Sequence, residues 1–113
     1  MKIPIVIENS VIPKLLSVFI TIGAITLWPF IISRNKLNEQ VLNHESIHIK
    51  QQQELLLVGF YLLYVLYWIR GLWIYRDSQI AYYSIPFEVE AYEHDEDMEY
   101  LKSRKWFAWW KYR

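Results

Sequence analysis

The feature that most constrains the fold is a long stretch without proline, from Glu39 to Ile69, which contains a single glycine. Proline breaks helices, so its absence over this length favours one continuous helix. Asn38 stands directly before the stretch, and asparagine is a preferred N-cap residue because its side chain accepts a hydrogen bond from the first turn. We therefore expect a long helix here, polar in its first half and apolar from Leu55 onward, with Gly71 ending it.

The rest of the chain predicts a second helix and a few short strands. Pro86 suits the first turn of a helix, and the acidic residues after it favour the positive end of the helix dipole, so we expect a helix from there to about Ser103. Alternating isoleucines within residues 1–14 indicate a brief strand, and the aromatic segment 73–83 fits a loop or short strands. The expected fold is a single domain over residues 1–113, mainly α with a few short strands, in which the two helices pack together.

An apolar run over residues 15–32 contains no charged side chain. Its eighteen residues meet the lower limit for a membrane-spanning helix. Gly23 and Pro29 interrupt it, so a buried helix ending near Trp28, followed by a strand over residues 30–33, fits equally well. The run is long and no small-residue cleavage site follows it, so we expect no cleaved signal peptide.

Two further segments suggest contact with a membrane surface. Residues 55–69 form an apolar run of fifteen residues, too short for a comfortable span, and we expect them to pack inside the protein or lie partly in the interface. Residues 106–113 combine aromatic and basic side chains, which suits the headgroup level of a bilayer or a C-terminal helix packed on the core. We therefore expect the protein to be membrane-associated or cytoplasmic.

Charge and cysteine content argue against nucleic-acid binding and exclude disulfides and cysteine metal ligands. Twelve basic and twelve acidic residues give a formal net charge of zero, so a general attraction to nucleic acid is not expected. The chain has no cysteine, which excludes disulfides and leaves histidine and carboxylate side chains as the ligands for any metal ion.

The motif that carries chemistry is His44-Glu45-Ser46-Ile47-His48. Histidines four residues apart on a helix point the same way, so both imidazoles can bind one zinc ion at about 2.0–2.1 Å. Glu45 is rotated by about 100° from His44 and lies beside the ion, where a general base must be to take a proton from water that the metal activates. The alternative interpretation is a pair of surface histidines on a polar helix face.

The motif resembles that of the gluzincin branch of the zinc metallopeptidases. In that family a glutamate on a later helix completes the site, and Glu88-Val89-Glu90-Ala91-Tyr92 matches this pattern, so the resemblance implies Glu88 as the third ligand. Some members place an aspartate where this chain has Tyr92. The longer motif of the metzincins is absent, because Gln51 and Glu54 stand at its glycine and histidine positions. The chain also resembles small bacterial proteins that carry this motif beside apolar segments, and a minimal zincin-like core is the fold implied.

Other residues remain candidates for parts of the site. His94 and Glu90 are alternatives to Glu88 as third ligand, although Glu90 is rotated about 200° from Glu88 on a helix. The candidates for supporting roles are Asp95 and Glu54 as partners of the ligand imidazoles, Gln51 and Gln52 as cleft-lining residues, and Tyr82, Tyr83 and Tyr92 as donors to an oxyanion.

The leading functional hypothesis is a zinc-dependent metallopeptidase that hydrolyses a peptide or protein substrate, with His44, His48 and Glu88 as ligands and Glu45 as general base. The alternatives are a non-catalytic zinc-binding protein, for which His94 could close the site as a fourth ligand, and a small membrane protein without hydrolase activity. Cleavage preference and oligomeric state are left open by the sequence.

Overall fold

The structure is a computed structural model that describes residues 4–11, 13, 24–33 and 36–113. Helices predominate among these residues, with a few short strands, which confirms the expected fold class. The strands are β1 (Ile5–Ile7), β2 (Ala24–Leu27) and β3 (Phe30–Ser33). The helices are α1 (Glu39–Glu54), α2 (Val58–Tyr75), α3 (Ser78–Ser84), α4 (Pro86–His94) and α5 (Tyr100–Ser103), followed by a 3₁₀ helix (Ala108–Tyr112).

The strands form a sheet of order β1-β3-β2, in which β3 is parallel to β1 and antiparallel to β2. The strand expected within residues 1–14 and the one expected over residues 30–33 are both confirmed. The helix expected to end near Trp28 is wrong over residues 24–27, where the chain pairs with β3 as a strand. The same pairing excludes one continuous membrane helix over residues 15–32, although residues 14–23 lie outside the described residues.

The long helix expected over residues 39–69 is divided in two. Asn38 does cap its start, because its side chain accepts a hydrogen bond of 2.8 Å from the backbone N–H of Val41. The helix then breaks between α1 and α2, where Leu56 and Leu57 have φ angles of 55° and 63°. Such angles are unfavourable for leucine, so packing on both sides of the break must stabilise it.

α2 continues past the position where Gly71 was expected to end it. A Cβ atom on Gly71 would lie 2.8 Å from the Cα of Ala81, so the glycine permits close contact between α2 and α3. The helix ends instead at Tyr75, and Arg76 follows in the left-handed conformation. The loop or strands expected over residues 73–83 are therefore wrong: the segment holds the end of α2 and most of α3, which Asp77 caps.

α4 begins at Pro86 as expected but ends at His94, well before Ser103. A side chain from α1 accounts for the turn that follows, since the Asn43 amide donates to the backbone oxygens of Asp95 and Asp97, each at 3.0 Å. The hydrogen bonds from Asn43 hold the chain in this turn against α1.

The core lies where α2, α4 and the 3₁₀ helix meet, and its buried members are Phe60, Ile85, Phe87 and Trp109. The Phe87 ring centroid is 4.7 Å from those of both Phe60 and Trp109. The C-terminal segment is therefore packed on the core through Trp109, one of the two arrangements expected for it.

α2 is the one helix among the described residues that is long and apolar enough to cross a membrane, judged by length and composition. Of the two arrangements expected for residues 55–69, packing inside the protein holds for one side of the helix: Phe60 is buried and Leu63, Tyr64, Tyr67 and Trp68 pack against the core, while the opposite side is exposed.

Candidate metal centre

Two helices bring together the three residues expected to bind a metal. α1 presents His44 and His48 one turn apart, and α4 presents Glu88 between them. The Nε2 atoms of both histidines lie 3.0 Å from Oε1 of Glu88. Their ligand atoms all lie within 4.8 Å of one another, and all three residues are buried. Tetrahedral zinc with bonds of about 2.0–2.1 Å separates its ligand atoms by roughly 3.3 Å, so this buried group can hold a metal ion.

The electrostatics of the group also suit a cation. Burial alone would raise the pKa of Glu88, but the charges of the two histidines and their hydrogen bonds lower it well below its ordinary value. Burial likewise opposes the charged form of His48, yet the Glu88 carboxylate outweighs burial and raises the pKa of His48 to about 9. The pKa of His44 is raised for similar reasons, with burial opposed by its hydrogen bond to Glu88. A metal ion can replace the protons that this carboxylate attracts.

Gln51 determines which nitrogen of His48 faces the site. The Gln51 amide Nε2 donates to the Phe87 carbonyl at 3.0 Å and to Oε1 of Glu90 at 2.9 Å. Because those two acceptors fix the orientation of the amide, its oxygen must accept the remaining bond, 2.7 Å from Nδ1 of His48. Nδ1 of His48 therefore carries a proton that it donates to Gln51, and Nε2 is the nitrogen that faces Glu88 and can bind a metal ion once its own proton is lost.

Asp95 holds Nδ1 of His44, so that Nε2 of this ring also faces Glu88. Its carboxylate lies 3.0 Å from Nδ1 of His44 and accepts a second hydrogen bond of 3.0 Å from the Gln40 amide. Asp95 was one of two residues expected to hold a ligand imidazole. The other, Glu54, forms a bidentate ion pair with Arg104 at 2.9 and 3.0 Å and contacts neither histidine.

The two alternative third ligands lie elsewhere. Glu90 is fully buried, but its carboxylate pairs with Arg104 at 2.6 Å and accepts a hydrogen bond of 2.6 Å from Tyr100. The His94 ring stacks on Tyr100 at 3.9 Å, and its Nε2 lies 3.0 Å from the Tyr112 hydroxyl. Among the described residues, neither joins the group that can hold the ion.

Glu45 is buried beside the ligands, and its Oε2 accepts a hydrogen bond of 2.5 Å from the Thr26 hydroxyl on β2. Gln52, expected to line the cleft, holds β2 in place instead. Its side chain donates to the Thr26 carbonyl at 2.8 Å and accepts from the Trp28 N–H at 2.7 Å. Thr26 was missed from the sequence because nothing nearby indicates that residue 26 pairs with a helix some twenty residues later.

Tyr64 is a second residue that sequence reasoning missed. Its hydroxyl donates to Oε2 of Glu88 at 2.5 Å, while Oε1 of the same carboxylate faces the histidines. Burial and the Glu88 charge raise the pKa of Tyr64 well above its ordinary value, so the hydroxyl stays protonated as a donor. One tyrosine among nine gives no signal, and this contact depends on the break before α2.

A cleft of about 290 Å³ opens on one side of the group. Its lining residues are Ala24, Gln40, Val41, His44, Glu45, Tyr82, Tyr92 and Asp95. Of the three tyrosines expected as oxyanion donors, Tyr82 and Tyr92 line it, with their hydroxyls 3.1 Å apart, and Tyr83 does not. Burial raises the pKa of both hydroxyls, which keeps them protonated.

Comparison with models of protein families, with curated proteins and with solved structures finds no match to this chain in any of the three. The geometry of the three buried side chains and of the cleft beside them, together with the sequence motifs, therefore carries the functional conclusion.

Proposed function

We propose that this chain is a zinc-dependent peptidase whose ion is held by His44, His48 and Glu88 and whose general base is Glu45. One observation carries the proposal: atoms of three buried residues that can bind a metal lie within 4.8 Å of one another, and the cleft beside them is lined by His44 and by Glu45. A base next to an accessible metal position is what hydrolysis by activated water requires.

The ligand set supports zinc as the metal. Two imidazoles and one carboxylate form a ligand set known from catalytic zinc sites, which keep a fourth position open for water or substrate. Among the described residues no further histidine or carboxylate joins the three, and His94, the candidate to close the site, is bonded to Tyr112. The resemblance of the two helical motifs to gluzincins supports the same assignment.

Four side chains in or beside the cleft then have roles in the reaction. When bound, zinc supplies Lewis acidity, which lowers the pKa of water and polarises a peptide carbonyl. Glu45 takes a proton from the attacking water and passes it to the leaving amine. The Thr26 hydroxyl holds one oxygen of Glu45, so the other takes the proton. Because one proton of the Tyr82 and Tyr92 pair lies between the two hydroxyls, the other proton is left to donate a hydrogen bond to the negative charge that develops on the carbonyl oxygen.

The test separates metal binding from catalysis. Purified wild type should hold one equivalent of zinc and cleave peptides in a mixed library read by mass spectrometry. Glu45→Gln should keep the zinc and lose cleavage by a factor of at least about 100, within the usual range for general-base catalysis. His44→Ala should lose the zinc. Glu39→Gln, an exposed carboxylate on the same helix, is the matched control and should keep both.

Two outcomes oppose the proposal. Cleavage by Glu45→Gln at the wild-type rate removes the mechanism. Stoichiometric zinc in a wild-type protein that cleaves nothing in the library favours the alternative, a non-catalytic zinc-binding protein with the same fold.

We also propose that the protein works at a membrane. Support comes from α2, which is apolar enough to enter a bilayer and in which only 11% of the residues are buried in the protein. Sedimentation with phospholipid vesicles tests this location, and a protein that stays in the supernatant with every vesicle composition contradicts it.

A further inference from the structure

An uninterrupted apolar stripe runs along the side of α2 that faces away from the rest of the protein. Its members are Val58, Leu62, Val65, Leu66, Ile69 and Trp73, which are between 50% and 85% exposed. They recur at the three- and four-residue spacings that place side chains on one helix face, and from first to last they cover about 22 Å of helix. We call these six residues the outer face of α2.

The opposite side of the helix is already occupied. Phe60 packs on Phe87, the Tyr64 hydroxyl bonds to Glu88, and Gly71 lies against Ala81 of α3. Since these contacts fix which way α2 is turned, the outer face is left to solvent or to a partner. A continuous exposed apolar patch of this kind marks a site of interaction.

The charges around the outer face indicate what kind of partner it fits. α2 contains no acidic residue and no lysine, and its single charged residue is Arg70, with Arg76 following at its end. Both arginines are exposed, and the indole of Trp73, 85% exposed, lies between them in sequence. Tryptophan and arginine at the edge of an apolar helix face suit the headgroup level of a bilayer, where anionic phosphates pair with the arginines.

A second copy of the chain fits this face less well. Two outer faces packed together would bring up to four arginines into one interface, and α2 supplies no acidic side chain to pair with them. A full crossing of the bilayer also fits less well, because Glu88, bonded to Tyr64 within α2, must stay beside a cleft open to water. An orientation along the bilayer surface avoids both conflicts.

We infer that the outer face of α2 inserts into the boundary between headgroups and acyl chains of an anionic lipid bilayer, with Arg70 and Arg76 against lipid phosphates. The inference rests on the proposed membrane location, and the choice of a surface orientation over a full crossing rests on the water-accessible cleft beside Glu88. It specifies which surface binds and which lipid charge is preferred.

Vesicle binding tests the surface with variants matched in charge. Wild type should bind vesicles of phosphatidylcholine with phosphatidylglycerol at least tenfold more tightly than pure phosphatidylcholine, with a loss of affinity at high salt. The variant Leu66→Glu with Ile69→Glu should bind the mixed vesicles at least tenfold less tightly. The control Val11→Glu with Met98→Glu adds the same charge at exposed apolar positions outside the face and should bind within about threefold of wild type. Circular dichroism and zinc content should be equal in all three.

Fluorescence reports the orientation directly, because the chain has no cysteine and each engineered one is unique. An environment-sensitive dye on Ile69→Cys should shift to the blue with anionic vesicles and be quenched by brominated acyl chains, whereas the same dye on Met98→Cys should do neither. Equal binding by wild type and the Leu66→Glu, Ile69→Glu variant overturns the inference while leaving a membrane location intact. A wild-type dimer without lipid that this variant dissociates assigns the face to a second copy and also overturns it.

Discussion

At the scale of single residues, hydrogen bonds to the two imidazoles orient the side chains that could hold a metal ion. Gln51 and Asp95 each hold an Nδ1 atom, so Nε2 of both rings faces the Glu88 carboxylate. Tyr64 holds the far oxygen of that carboxylate. Partners of this kind typically change metal affinity by a factor of about 10 to 100 when they are removed.

Two neighbouring glutamines give a matched test of this role. Gln51 and Gln52 are both fully buried, but Gln51 bonds to His48 and Gln52 bonds only to other groups, chiefly β2. We expect Gln51→Leu to weaken zinc binding about 10- to 100-fold in a chelator competition assay. Gln52→Leu should lower the free energy of unfolding about as much as Gln51→Leu does. It should nevertheless leave the zinc affinity of the folded protein within about threefold of wild type. Equal zinc affinities in the two variants would contradict the role of Gln51.

The pKa values predict how the metal-free protein responds to pH. The folded pKa of His48 is about 9, above its ordinary value of 6.5, so its protonated form stabilises the fold fully below pH 6.5 and loses this effect as the pH rises to about 9. The melting temperature of the metal-free protein should therefore fall over that range, while the stabilisation gained on adding zinc should grow. Glu88→Gln should flatten the decline, because the carboxylate raises that pKa. A wild-type melting temperature that rises between pH 6.5 and 9 would oppose this account.

How much of the site could be predicted from sequence differs between its members. Helical spacing alone predicts that the side chains of His44 and His48 lie close together on one face of α1. Predicting that Glu88 lies beside the two histidines required a resemblance to known motifs, because no local pattern links residues forty positions apart. Gln51 was expected to line the cleft, since its spacing places it near His48 but does not show that Phe87 and Glu90 engage its amide.

At the scale of elements, the break between α1 and α2 determines where everything after it lies. It turns the apolar helix back so that Phe60 reaches Phe87 and Tyr64 reaches Glu88. Three leucines in a row gave no sign of it, because leucine favours helices and rarely adopts the positive φ angles of Leu56 and Leu57. Tertiary packing overrides the local preference here, which is why the prediction of one long helix failed.

The two glycines of α2 test the packing of α2 on α3. Gly71→Ala places a Cβ 2.8 Å from backbone and side-chain atoms of Ala81, and overpacking of this kind costs about 1–3 kcal/mol, more than the gain in helix propensity. Gly59→Ala meets only the Leu55 Cβ at 3.5 Å and should be neutral or stabilising by up to about 1 kcal/mol. Urea unfolding measures both. A stabilising Gly71→Ala would show that the helices are not in close contact there.

At the scale of the whole molecule, one arginine joins the C-terminal segment to α1 and α4, the two helices that carry His44, His48 and Glu88. The side chain of Arg104 is almost fully buried and pairs with Glu54 of α1 and Glu90 of α4. The sequence showed only an acidic block followed by a basic tail, and which charges meet could not be inferred from it, because the pairing depends on how the chain turns after α4.

Removal of this arginine should destabilise the whole fold. Arg104→Leu leaves two buried carboxylates without their cation, and breaking a buried ion pair in this way costs about 3–5 kcal/mol. The exposed pair of Lys102 with Glu99 is the control, since Lys102→Ala should change stability by less than about 0.5 kcal/mol. Denaturant unfolding at neutral pH measures both changes, and equal stabilities would argue against a structural role for the buried pairs.

The proposed function depends on one ion shared by two helices, and the X-ray absorption spectrum of the zinc-loaded protein at the zinc edge tests this most directly. We predict two imidazole nitrogens at about 2.0–2.1 Å and carboxylate or water oxygens at about 2.0–2.2 Å, with the carboxylate contribution lost in Glu88→Ala. A spectrum with three imidazoles, with a single imidazole, or unchanged in Glu88→Ala would contradict a site built from His44, His48 and Glu88.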